Sequence, residues 1–143
     1  MEAEFTIQRV FNAPPQTIWR AWTDPDLAVS WWHPRGVSTR PGSVEVDARV
    51  GGSYRYTMVS DSSGEEFPRG GRYIELVESE RLVFTWGELG AEAAPVITVM
   101  LKEVDEGTEM TFHLRGLPGT PGDEWVYDGW DQALDGLAEG LPA

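Results

Sequence analysis

Cysteine is absent from the chain, which removes disulfide cross-links, thiolate nucleophiles and sulfur-ligated metal sites together. Histidine is scarce: His33 and His113 are the only imidazoles, and no spacing sets carboxylates beside either in a metal-ligand pattern. Neither a metal nor a cofactor is therefore expected. Basic residues are outnumbered, 11 against 24 acidic ones, for a formal charge of −13. A surface of that sign repels phosphate backbones and anionic headgroups, so neither nucleic acid nor a membrane is an expected partner. The opening run M-E-A-E-F-T-I has no basic start and no apolar stretch, so no signal peptide or spanning helix is read there, and a cytoplasmic location is expected. Also missing are a nucleophile elbow, a phosphate-cradling glycine loop, internal repeats and any low-complexity tract. No catalytic residue can be assigned from motifs.

What is present is enough apolar material for one packed interior. The 143 residues are 41% hydrophobic and 11% aromatic, which suits a single domain over residues 1–143. Phe5, Ile7, Arg9 and Phe11 alternate with Thr6, Gln8 and Val10, as in a strand. Pro14 and Pro15 break it and start a short helix to Trp22, whose Ile18, Trp19, Ala21 and Trp22 share a face. Asp24 is a good N-cap before Pro25, so a second short helix is expected to carry Trp31 and Trp32 and to end at His33-Pro34.

Strand patterns follow. Val44, Val46, Ala48 and Val50 alternate, then Gly51-Gly52 turns into Tyr54, Tyr56 and Met58. Arg72–Val77 with Arg81–Trp86, and Val96–Glu103 with Thr108–Arg115, make two further pairs about polar turns. The period then changes: Asp123 can cap a helix with Val126, Trp130, Ala133, Leu134, Leu137 and Leu141 on one stripe and Asp128, Asp131 and Asp135 opposite. The expectation is an α+β domain in which a meander of about seven antiparallel strands curls around a C-terminal helix, with two short helices after the first strand.

Several stretches together resemble the activator of heat-shock protein 90 ATPase homologue-like family, within the START-related, Bet v 1-like (SRPBCC) superfamily. They are Arg9 to Pro25, Ser30 to Gly36, Asp47 to Tyr54, Gly71 to Leu76, Glu80 to Trp86, Gly107 to Phe112, and the pair Gly129-Trp130. The resemblance implies a helix-grip fold. Its members include carriers of lipids, hormones and polyketides, some enzymes, and a co-chaperone domain, so it implies no single activity.

The resemblance places the second short helix and its exit at one end of a groove between sheet and long helix. Trp31 and Trp32 lie about 100° apart on a helix, so one should face the core while the other packs on the following loop or lines the groove mouth. Strand parity points Tyr54, Tyr56, Met58, Tyr73, Phe84, Trp86, Met110 and Phe112 inward, facing Trp130 and Leu134 of the helix. These residues make either a solid core or the lining of a pocket; the hydroxyls and methionines suit a ligand. Arg49 and Glu75 sit within apolar strands, as solvent-facing ion-pair members or as polar anchors for a ligand. The expected partner is a small apolar or amphipathic molecule. A protein partner reached through the acidic surface, or an enzyme using the same pocket, are the alternatives, and the chain is a monomer or homodimer.

Overall fold

The computed structural model describes residues 3–88, 94–124 and 126–141. In chain order the elements are β1 (Glu4–Phe11), α1 (Pro15–Thr23), α2 (Pro25–Ala28), β2 (Val37–Thr39), β3 (Glu45–Val46), β4 (Ser53–Ser60), β5 (Glu66–Val77), β6 (Arg81–Thr85), β7 (Gly87–Glu88), β8 (Val96–Val104), β9 (Gly107–Arg115) and α3 (Val126–Glu139). Seven strands follow one another across the sheet in the order β1-β9-β8-β6-β5-β4-β2, all antiparallel, with β3 and β7 as short additions to β4 and β5. This is the curled sheet with a C-terminal helix that the alternation implies.

Strand β5 produces the curl. Its first half pairs with β4, its second half with β6, and a bulge interrupts the register between Tyr73 and Glu75. At the changeover a Cβ on Gly71 would lie 1.9 Å from the Thr85 carbonyl oxygen, so only glycine fits. Thr85 is held there by its partners: its carbonyl accepts from the Tyr54 hydroxyl at 2.7 Å, and its own hydroxyl accepts from the Arg72 N–H at 2.9 Å. A second forced glycine, Gly107 at φ 136°, lets the β8–β9 turn pass the end of β1, where an added Cβ would meet the Phe11 carbonyl oxygen at 2.2 Å.

Two expectations change in detail. The second helix ends at Ala28, so Trp31 and Trp32 lie in the turns that follow it; Trp32 N–H still bonds the Ala28 carbonyl. The strand expected across residues 44–50 is reduced to Glu45–Val46, because Arg49 and Val50 fold into the turn before Gly52 and Val50 is left exposed. The expected cap of the last helix is present, with the Asp123 carboxylate accepting from the backbone of Tyr127 and Asp128, each at 3.2 Å.

The core is aromatic. Trp22 meets Trp31 edge-on with ring centres 4.7 Å apart, and stacks with Phe112 at 6.2 Å and Trp130 at 6.1 Å. Helix α3 is tied to β1 by Arg9, whose guanidinium reaches Asp131 at 2.5 Å and Asp135 at 2.6 Å. The acidic side of α3 is therefore not wholly solvated: its two aspartates hold the helix against the first strand.

Candidate ligand-binding groove

Strands β4 and β5, helix α3 and the exit from α2 enclose a groove of about 200 Å³. An apolar cavity of about 150 Å³ is known to accept benzene, so the space is sufficient for a small ring system. Its sheet wall is Tyr56 and Met58 of β4 with Arg69 of β5, and Trp86 follows β6. Its helix wall is Val126, Gly129, Trp130 and Ala133, spaced so that one side of α3 faces it. Trp32, His33 and Pro34 close the remaining end.

Adjacent tryptophans thus take different places. Trp31 is buried at the corner, where its indole N–H donates to the Ala21 carbonyl at 3.0 Å. Gly136 of α3 packs beside it, where a Cβ would sit 3.5 Å from the Trp31 Cβ. Trp32 packs its ring on Tyr54 and Tyr56 and forms the groove wall. Behind that wall the interior is almost solid: the void among Trp22, Trp32, Tyr54, Tyr73, Leu82 and Phe84 is about 10 Å³, room for at most one water.

Of the residues expected from parity, the groove collects Trp32, Tyr56, Met58, Trp86 and Trp130. Trp31, Tyr54, Tyr73, Phe84, Met110, Phe112 and Leu134 are buried in the packed core instead. Arg49 and Glu75 stand outside the groove. Arg49 lies in the turn after β3 with its guanidinium on Asp47 at 2.9 Å, and Glu75 pairs with Arg81 at 3.0 Å. Both pairs are exposed, because an ion pair in water avoids the desolvation that an inward charge would suffer.

Arg69 and His33 are the polar groove residues that the sequence reading does not assign to it. The strand read there begins at Arg72, whereas β5 begins at Glu66, sets Arg69 opposite Tyr56 and gives it the parity of Tyr73. His33 is half-buried, and its Nδ1 lies 3.0 Å from the Thr39 hydroxyl oxygen. That hydroxyl donates its one proton to the Trp32 carbonyl at 2.8 Å, so Nδ1 must carry the hydrogen and Nε2 the lone pair. Burial lowers the His33 pKa below 6.5, with Asp61 opposing the shift, which keeps the ring neutral at physiological pH.

The tyrosines are held in the opposite sense. Burial pushes Tyr56 up to about 12, a tendency that the Trp86 hydrogen bond and the nearby Arg69 charge partly offset; Tyr54 and Tyr73 are raised as well. All three remain protonated at neutral pH, so none is a base, and the Tyr54 hydroxyl donates to the Thr85 carbonyl. The Tyr56 oxygen already accepts from the Trp86 indole N–H at 2.8 Å.

A family model described as "Activator of Hsp90 ATPase homolog 1-like protein" matches residues 12–141. The chain belongs to this family. Among solved structures with this homologue-like fold, a protein from Chromobacterium violaceum is 34% identical, with a TM-score of 0.87 and 99% of both chains covered. A protein from Nitrosomonas europaea is 25% identical with a TM-score of 0.80, covering 96% of this chain and 92% of that one. A third, from Rhizobium leguminosarum, is 26% identical with a TM-score of 0.79, covering 97% and 93%. No curated protein matches. Membership establishes the helix-grip fold, and it is compatible with binding either small molecules or proteins.

Among the described residues of this activator-homologue-like domain, two further depressions lie on the surface. One, of 310 Å³, lies between α1 and the end of α3; the other, of 450 Å³, is an acidic hollow beside the β8–β9 turn. Neither is lined by an unpartnered buried donor among the described residues, whereas Trp32 and Trp130 of the groove both have one. Among the described residues no group of three His, Asp or Glu side chains is placed to hold a metal ion, and no helix is long and apolar enough to cross a membrane.

Proposed function

We propose that the protein binds a small apolar or amphipathic molecule in the groove between its curled sheet and α3, without cofactor chemistry. The observation that carries this is the 200 Å³ space walled by Trp32, Trp86 and Trp130, beside a core cluster whose own void is about 10 Å³. Apolar area left open along the groove forgoes about 25 cal/mol for each Å², and a bound ring recovers that free energy.

Gly129 supplies a clean test. A Cβ there meets only the Pro34 Cβ, at 3.8 Å, so a side chain fits but projects into the groove. Gly129→Ala should raise stability by about 1 kcal/mol through helix propensity and leave most of the space open. Gly129→Phe should occupy it. The neutral probe N-phenylnaphthylamine should fluoresce with the wild type and with Gly129→Ala but not with Gly129→Phe. Equal fluorescence from all three folded proteins would show that the dye binds elsewhere and would remove the reading.

A second reading is a protein-interaction module in the co-chaperone manner, favoured by the charge of −13 and by the family's own description. It expects capture of a basic partner that weakens steeply as salt shortens the screening length to about 8 Å and below. Capture indifferent to salt would count against it.

A further inference from the structure

The groove is walled by rings, and neighbouring rings hold them in place. Trp86 and Trp130 pack with centres 5.3 Å apart and planes inclined at 69°. The Trp86 indole N–H donates to the Tyr56 hydroxyl at 2.8 Å, Trp130 rests on Phe112 at 4.9 Å, and Trp32 packs on Tyr56 at 5.0 Å. Each of these walls is backed by another ring, so the space is preorganised and parting the walls would break packing on their far side. The rest of the lining also favours π-systems. The Met58 sulfur is polarizable and makes good contacts with ring edges, and the planar Arg69 guanidinium stacks on aromatic faces whether or not it also meets an acid.

We infer that the ligand of this groove is a flat aromatic compound of one or two fused rings, and not a long acyl chain or a sterol. This rests on the groove-binding reading above and adds the chemical class. Size sets the upper limit: the groove holds about 200 Å³, against about 150 Å³ for a cavity that accepts benzene, and the core cluster behind Trp32 adds only about 10 Å³. Two fused rings approach that limit. A sterol or a long chain exceeds it and would leave much of its apolar surface in water. Shape decides the rest. A planar ring lying flat on Trp86 or Trp130 meets the other at the 69° inclination of the pair, so a face contact and an edge contact form together, the two arrangements that aromatic quadrupoles favour. A saturated ring system with the same number of carbons is thicker and has no π-face, so it gains from area burial alone.

The test compares three neutral alcohols with the same number of carbons, naphthol, decahydronaphthol and decanol, by titration calorimetry at neutral pH. Area burial alone ranks decanol and decahydronaphthol at or above naphthol. An aromatic ligand class reverses that order: naphthol should bind the wild type about tenfold more tightly than either, the combined gain of ring contacts with two indoles. Trp86→Leu removes one of those contacts and should narrow the preference to about threefold, whereas Trp86→Phe keeps a ring and should retain most of it. Should the leucine variant fail to fold, the wild-type ranking and Trp86→Phe carry the test. Naphthol binding no more tightly than its two counterparts, or not at all, overturns the aromatic assignment even while N-phenylnaphthylamine still reports an open groove. A tenfold preference that Trp86→Leu leaves intact overturns it as well. Failure of the dye together with all three alcohols overturns the groove reading itself.

Discussion

His33 shows how a single ring couples the groove to pH. Its folded pKa lies below 6.5 because burial disfavours the imidazolium, so the unfolded chain binds a proton at a pH where the folded chain does not. Stability from this residue is therefore complete above about pH 6.5 and is lost as pH falls toward the lowered folded value. Urea unfolding of the wild type should show a loss as pH falls below about 6.5 that His33→Asn reduces, since asparagine donates to Thr39 without titrating. Identical pH slopes in the two proteins would contradict the neutral, Nδ1-protonated ring. The sequence marks His33 only as the residue before a proline at a helix exit; that Thr39 would spend its proton on Trp32 depends on a strand of three residues, too short to leave a periodic signal.

At the scale of elements, β5 decides the shape. The strand changes partners where Gly71 touches Thr85, and the bulge after Tyr73 completes the bend. Gly71→Ala should cost about 2 kcal/mol or more in chemical denaturation, because the clash is with backbone oxygen and no rotamer relieves it. Gly129→Ala, in the same chain, should have the opposite sign. Two glycine substitutions with opposite outcomes separate close backbone approach from helix propensity, and equal losses at both would refute the distinction. Much at this scale was legible. The alternation of Tyr54, Tyr56 and Met58, the Asp123 cap and the apolar stripe of α3 all follow from period and composition. The strand expected to run to Val50 did not extend so far, because alternation cannot tell a strand from a turn with the same polarity pattern when glycine follows.

For the whole molecule, the grip of helix on sheet depends on a few ties besides the aromatic core. Arg9 carries two of them, to Asp131 and Asp135, and also donates to the Asp131 carbonyl at 2.9 Å. Arg9→Met preserves the apolar stem but leaves two neighbouring carboxylates without their shared cation. It should destabilise the fold by about 1–2 kcal/mol, less at high salt, and should speed amide hydrogen exchange in α3 more than in β8 and β9. Unchanged α3 exchange would mean that ring packing alone holds the helix. Because α3 forms one wall of the groove, the same variant should weaken N-phenylnaphthylamine binding without touching the site.

From the sequence alone came the alternating strands, the helical stripe, the aromatic interior and the family that these motifs resemble, because each is encoded by neighbours within a few residues of one another. Which rings pack and which wall a space was decided only in the tertiary structure. Groove volume is the small difference between the sheet-to-helix separation and the bulk of side chains from distant parts of the chain, and hydrogen-bond partners such as Tyr56 and Trp86 are 30 residues apart. A pattern of residue types carries the sign of burial, but the distances that leave a donor unpaired arise only when the helix closes on the sheet.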